Sequence, residues 1–382
     1  MMGLERIGIR QLSILVIHFM LGTSILIAPS NLAHVARQDG WMAACIGIGF
    51  VIGSVWLYAR LARRYPSMTF TMMIEHVLGK WVGKIISFML FTYLFLLTSF
   101  LVRVAGNFIT TQMMPETPIE SIHFILIITI VIAVCYGIET IARASEILFL
   151  PVTALLVLLL VFLMPEIHFA NLMPVLERGP KPVALSSFYM FTIHEVAVFL
   201  MIYPYVSKPN KIRSAMVTGV VVGGAAIIFT TLLCLLVMGP NLTERNIFAS
   251  YSLAKKITVA HFLRIDAVMA IIWLVALFFK STITFYGAVL SLSQTLQLPR
   301  YRVLAMPLGF LLLWLSIIVY SNIVEFLNFT PGVWSLYSCC YVIILPLLLL
   351  IVGRIRFGKF QQAVPPPSGP QQQKQANNEQ AG

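Results

Sequence analysis

The sequence is short of charge. Only 10% of its 382 residues are Asp, Glu, Lys or Arg, and the acidic ones number 14. An ordinary soluble domain is about 25% charged. This chain therefore cannot cover itself with a polar surface, and a soluble globular fold is excluded. Cysteine is scarce as well. Cys45, Cys135, Cys234, Cys339 and Cys340 all fall in apolar runs, without metal-ligand or secreted-scaffold spacing. That pattern excludes a disulfide framework and leaves them as small packing residues. Also missing are a phosphate-binding glycine loop, a metal-ligand cluster and an elbow serine with an attending histidine. No catalytic residue, metal or cofactor is expected, and the chain does not read as an enzyme. No A-x-A-like cleavage site follows the first apolar run, which continues to Ala28-Pro29 and reads as a retained helix.

What is present is apolar surface. Hydrophobic residues make up 59% of the chain, and the mean hydropathy is +0.91. In lipid, bundled helices are the default way to satisfy every backbone polar group. A spanning helix needs about 20 apolar residues. Ten segments qualify: 10–34, 41–60, 83–110, 121–138, 146–164, 186–206, 212–238, 264–292, 302–321 and 332–353. The fold class is therefore an all-α polytopic membrane protein. Residues 67–80 are too short and polar to span and read as an interfacial helix. Residues 243–262 read as a short helical cap between spans seven and eight. A transmembrane domain over 1–355 is followed by a low-complexity tail, 356–382, expected to be disordered and cytoplasmic.

The formal net charge is +12. The basic residues lie mostly in short loops, where they set topology rather than bind nucleic acid. With the N-terminus inside, seventeen of the 26 Lys and Arg fall in cytoplasmic pieces, among them Arg60, Arg63, Arg64, Lys80 and Lys84. Seven fall outside. Both termini are thus expected in the cytoplasm.

Ten spans invite a test for a repeat. Inverted-repeat transporters carry interrupted helices at matching positions in their two halves, and the interruptions mark the binding site. A five-plus-five split pairs span one, with Gly22-Thr23-Ser24 and Ala28-Pro29, with span six, with Thr192-Ile193-His194-Glu195 and Tyr203-Pro204. The competing explanation is that Gly and Pro are simply common in membrane helices.

An ionisable side chain inside a bilayer costs several kcal/mol and needs a reason. Glu195 lies near the midplane of span six. It must face a cavity, pair with a cation or stay protonated. Lys280 lies in span eight on a stripe with Asp266, Trp273, Thr284, Gly287 and Ser291. Its ammonium either stands in for a bound cation, pairs with Glu195, or reaches backbone carbonyls as a packing residue. Arg103 sits about seven residues from the outer end of span three. It either snorkels to the interface or, with Thr92, Ser99, Gly106 and Thr110, lines an outward vestibule. His194 reads as a packing histidine and Asp266 as an interfacial residue. Gly22, Thr23 and Ser24 lie roughly 18 Å from the inner end of span one. Unwinding there frees backbone N–H groups, and a half-helix N-terminus attracts a carboxylate. With Glu195 opposite, such a pocket suits both ends of a zwitterionic amino acid.

Two stretches carry a family resemblance. NLMPVLERGPKPVALSSFYMFTIHEVAVFLMIYPYV, from Asn171 to Val206, and FLRIDAVMAIIWLVALFFK, from Phe262 to Lys280, resemble the permease-type B subunit of bacterial spore germination receptors. That group is related to the amino acid–polyamine–organocation transporters with the LeuT-like fold. The resemblance covers residues 1 to about 355. It implies a LeuT-like five-plus-five inverted repeat with spans one and six broken. It also implies an integral protein of the bacterial cytoplasmic membrane, placed in the inner membrane of the spore, that recognises a small-molecule germinant, most readily an amino acid. An A subunit and a lipoprotein C subunit are the implied partners, besides the lipid bilayer. The site it implies comprises Gly22, Thr23, Ser24, Thr192 and Glu195, with Ser99 added from the span-three face and Lys280 and Arg103 in conformational or cation-mimic roles. One departure stands out. Proton-coupled members of the wider group often carry a lysine in span five, and 146–164 has none, a task Lys280 is placed to assume. The alternative function is amino acid transport, proton-coupled or uncoupled; a third reading is a purely structural subunit.

Overall fold

In the computed structural model, residues 6–256 and 265–358 are described. Among the described residues, eight helical stretches are long and apolar enough to cross a membrane, and two shorter apolar helices, Ile9–Leu21 and Arg302–Ile318, join them. Ten spans result. Span one consists of Ile9–Leu21 and Ser24–Ala36, and span two of Gly40–Arg64. Span three is Lys80–Gln112, span four Ile119–Tyr136 and span five Ile138–Leu163, the last two joined through Gly137 alone. Span six begins at Pro180, six residues before the expected start, and runs as a helix only to Thr192. Span seven is Ile212–Arg245, span eight Ile265–Thr295, span nine Arg302–Ile318 and span ten Ile323–Phe357.

The two short accessory helices stand where the sequence placed them. Phe70–Leu78 is capped by Thr69, whose hydroxyl accepts from the Met72 N–H. Ala249–Lys255 lies between spans seven and eight. Residues 257–262 of the expected cap, and the stretch from Phe262 to Arg264, fall outside the described residues, as does the tail from Lys359. Among the described residues the only strand-like pairing is an isolated bridge from Ile7 to Val206. It ties the N-terminal segment to the C-terminal end of span six.

Side-chain exposure separates lipid-facing from interior surfaces. Spans four, five and nine expose large apolar groups such as Ile125, Ile147, Leu150, Phe310 and Trp314, as a helix does when lipid is its solvent. Spans one, six and eight are buried almost throughout. The polar stripe of span eight faces inward. Thr284 Oγ1 accepts from Thr98 at 3.0 Å, Ser291 Oγ accepts from Thr71 at 3.0 Å, and Asp266 accepts from the Tyr251 hydroxyl at 2.9 Å.

The loop before span six explains one part of the resemblance motif. Span seven kinks at Gly239, whose φ of +74° excludes most L side chains, and at Pro240. Pro240 has no N–H, so the Leu236 carbonyl four residues earlier loses its helical partner. The Asn171 side-chain amide donates to that carbonyl at 2.7 Å, and the His168 N–H donates at 3.2 Å. The Asn-Leu-x-Pro segment thereby seals the kink and anchors the loop before span six.

Candidate binding site

Spans one and six break at similar depth. The first helix of each is 13 residues long, or roughly 20 Å. One runs in from each membrane face, so both breaks fall near the middle of a bilayer about 40–45 Å thick with its headgroups.

In span one the helix stops at Leu21 and restarts at Ser24. Gly22 is required by close approach: a Cβ there would lie 2.5 Å from Lys280 Cδ and 3.1 Å from Lys280 Cβ. In span six the α-helix ends at Thr192, and Val196–Met201 continues as a tighter 3₁₀ turn. The change of hydrogen-bond register releases two carbonyls, and side chains take them up. Ser338 Oγ, from span ten, donates to the Thr192 carbonyl at 3.0 Å. Lys280 Nζ donates to the Ile193 carbonyl at 3.0 Å. Lipid cannot satisfy such groups, and these two side chains supply the donors the break leaves wanting.

Lys280 Nζ also lies 2.9 Å from Glu195 Oε2, and the two side chains are 1% and 3% exposed. At that burial the charges are not screened by solvent. Glu195 Oε2 is held by proximity of charge rather than by a well-aligned hydrogen bond. The Thr23 hydroxyl, 3.4 Å from Lys280 Nζ, completes its surroundings, and the Phe19 ring lies 5.1 Å away. Spans one, six and eight are thus clasped at a single point.

A cavity opens beside this clasp. Thr23, Ser24, Ile27 and Ala28 line it from span one, Tyr189, Ile193 and Glu195 from span six, and Lys280 from span eight. Leu97, Phe100, Leu101 and Val104 of span three and Phe326, Thr330 and Trp334 of span ten form the outer wall. The Ser24 hydroxyl is buried without a hydrogen-bond partner. The space open to water centres is about 40 Å³, room for two or three waters. A larger occupant requires the surrounding side chains or half-helices to move.

Of the residues expected from sequence, Thr23, Ser24, Glu195 and Lys280 line this cavity, and Gly22 forms the break beside it. Three others stand apart. The Thr192 hydroxyl turns back to the carbonyls of Phe188 and Tyr189. Ser99 Oγ donates to Leu96 of its own helix at 2.7 Å. Arg103 lies over the Tyr320 ring at 5.5 Å and reaches the Ser321 carbonyl at 3.5 Å, near the outer surface. The Ser99 and Thr192 hydroxyls donate to i−3 or i−4 carbonyls, as serine and threonine in a helix commonly do, and Arg103 takes the interfacial position that was one of its two readings from sequence. His194 Nδ1 donates to the Met190 carbonyl, 2.7 Å away, as a packing residue would.

Sequence reasoning missed Tyr189 and the whole contribution of span ten. Tyr189 accepts from Asn31 Nδ2 at 2.7 Å, which ties the two broken spans together on the outer side. Span ten carries two π-helical turns, Thr330–Trp334 and Cys340–Ile344. Such turns concentrate at functional sites. Pro331 and Pro346 were the available signals. The Trp334 ring meets Phe100 edge-on at 4.9 Å and stacks on Tyr93 at 5.4 Å.

Two broken spans, each opening one half of a ten-span bundle and meeting around a buried charged pocket, define a permease-like protein of the LeuT-like fold. Solved structures agree. The nucleobase-cation-symport-1 family transporter Mhp1, closed with bromovinylhydantoin bound, superposes with a TM-score of 0.66 at 15% identity, over 88% of this chain and 78% of its own. MhsT in complex with L-phenylalanine gives 0.64 at 15% identity, over 90% and 97%. Within that class the chain belongs to the spore germination protein family, which it matches over residues 6–324. Spore germination protein KB of Bacillus subtilis (strain 168) is 30% identical over 356 residues, 91% of this chain and 94% of that one. The protein is an integral membrane protein of that family, not an enzyme.

Proposed function

We propose that this chain is the germinant-sensing, permease-like subunit of a spore germination receptor and that it binds an amino acid between broken spans one and six. The observation that carries the reading is the cavity at both breaks, where Glu195 and the unpartnered Ser24 hydroxyl share one wall system. The ligand carboxylate would meet the free N–H groups of the first turn after Thr23. Its ammonium would compete with Lys280 for Glu195. Because the cavity is small, binding requires the clasp to loosen, and a ligand that prefers the loosened form shifts the equilibrium toward it. The receptor A subunit and the lipoprotein C subunit would receive that shift in the spore inner membrane, with both termini of this chain in the cytoplasm.

Spores carrying Glu195→Gln test the reading. Response to each of the twenty amino acids should be impaired relative to wild type at equal membrane abundance; an unchanged response would remove Glu195 from the site. Transport is the second reading, favoured by fold neighbours solved with L-phenylalanine or bromovinylhydantoin bound. Saturable uptake of a radiolabelled amino acid into proteoliposomes containing only this chain would establish transport instead.

A further inference from the structure

A second, larger opening lies at the end of the bundle where positive charge gathers. It has a volume of about 860 Å³ and runs between spans two and seven. Arg63 and Arg64 of span two and Arg213 of span seven line it. Among the described residues, none of the three forms an ion pair with a carboxylate. Arg213 packs its guanidinium over the Trp56 ring at 3.6 Å, Arg63 Nε donates to the Ala59 carbonyl of its own helix at 3.4 Å, and Arg64 donates to the Gly353 and Gly358 carbonyls at 2.8 Å and to the Tyr65 hydroxyl at 3.2 Å. Among the described residues, no acidic side chain lines the groove. At its base the Tyr203 hydroxyl, on a residue 3% exposed, has no hydrogen-bond partner.

The groove is also amphipathic along the membrane normal. Ile52 and Val217 line its other end. Ile52 precedes Arg63 by eleven residues, about 16 Å along the helix axis. Beyond it, Phe50, Val221 and Val222 are exposed and apolar. A cationic end, an interfacial tryptophan and an apolar continuation into the bilayer match a phospholipid rather than a soluble anion or an acidic peptide. Basic pockets between membrane helices hold anionic headgroups by this chemistry.

We infer that the groove binds one anionic phospholipid of the adjoining leaflet, with its phosphate between Arg63, Arg64 and Arg213, the Tyr203 hydroxyl as an added donor, and an acyl chain along Ile52 and Val217. Tyr203 closes the inner end of span six, eight residues after Glu195. An occupied groove would therefore brace the half-span that carries the acid.

Native mass spectrometry of the full chain in detergent, with phosphatidylglycerol and phosphatidylcholine added in turn, tests this. The wild type should retain phosphatidylglycerol preferentially. Arg63→Ala and Arg213→Ala should each weaken retention about fivefold, since an arginine near an anionic surface contributes about that factor. Arg213→Lys should retain most of it, and Tyr203→Phe should lower it. Arg60, exposed on the same helix end but outside the groove, serves as the control. The proposal fails if the two lipids are retained equally, if Arg60→Ala weakens retention as much as Arg63→Ala, or if inorganic phosphate at millimolar concentration displaces phosphatidylglycerol.

Discussion

Removing Lys280 is the perturbation whose consequences the structure specifies most fully. The side chain is 1% exposed and lies 2.9 Å from Glu195, so Lys280→Ala leaves a carboxylate buried without its counter-charge. Breaking a buried pair from one side costs about 3–5 kcal/mol. The Ile193 carbonyl loses its donor at the same time, a further cost of about 1–3 kcal/mol. At about 2 °C per kcal/mol, the low end for chains of this size, the melting temperature should fall by roughly 8–16 °C. Glu195→Gln on its own leaves a buried ammonium, so it too should destabilise. The double variant removes both charges and should recover about 2–3 kcal/mol relative to the sum of the single losses. Thermal unfolding of the four detergent-purified proteins completes the cycle. Strictly additive losses would refute the clasp as an energetic unit. A wild-type melting temperature for Lys280→Ala would refute its structural role altogether.

Other outcomes follow from the same geometry. Gly22→Ala places a Cβ 2.5 Å from Lys280 Cδ; it should cost about 1–3 kcal/mol by overpacking and abolish amino acid stabilisation, read by thermal shift. Ser338→Ala removes the donor to the Thr192 carbonyl and should cost about 1 kcal/mol, with faster hydrogen exchange at residues 193–197. Asn171→Ala leaves the Leu236 carbonyl to His168 alone, so residues 165–180 should become more susceptible to limited proteolysis while the spans stay protected. Trp334→Ala opens the outer wall of the cavity and should shift preference toward bulkier side chains among the twenty amino acids, measured by the same thermal shift.

The ten spans and both breaks were legible in the sequence because lipid imposes a length on every apolar run and a reason on every interior charge. Glu195 and Lys280 stood out on that rule alone, and their pairing was one of the alternatives it left. Hydroxyl groups gave a weaker signal. Ser99 and Thr192 share a helix face with polar neighbours, yet each turns its oxygen onto its own backbone, which spacing cannot reveal. Span ten was silent for another reason. Phe326 and Thr330 lie before residue 332, where the apolar run of span ten was expected to begin; the span starts at Ile323, and Phe326, Thr330 and Trp334, at steps of four, all reach the cavity. The Asn171 loop was recognised by resemblance, but its purpose became clear only beside the carbonyl that Pro240 frees.

The central claim is that a ligand sits at the clasp of spans one, six and eight. Its most direct test is saturable thermal stabilisation of the purified chain by single amino acids, compared between wild type and Glu195→Gln. A ligand at one hundred times its Kd should stabilise the wild type by about 2.7 kcal/mol, or about 5 °C, and should leave Glu195→Gln unmoved while Arg103→Gln responds as the wild type does. Equal stabilisation of wild type and Glu195→Gln would contradict the account.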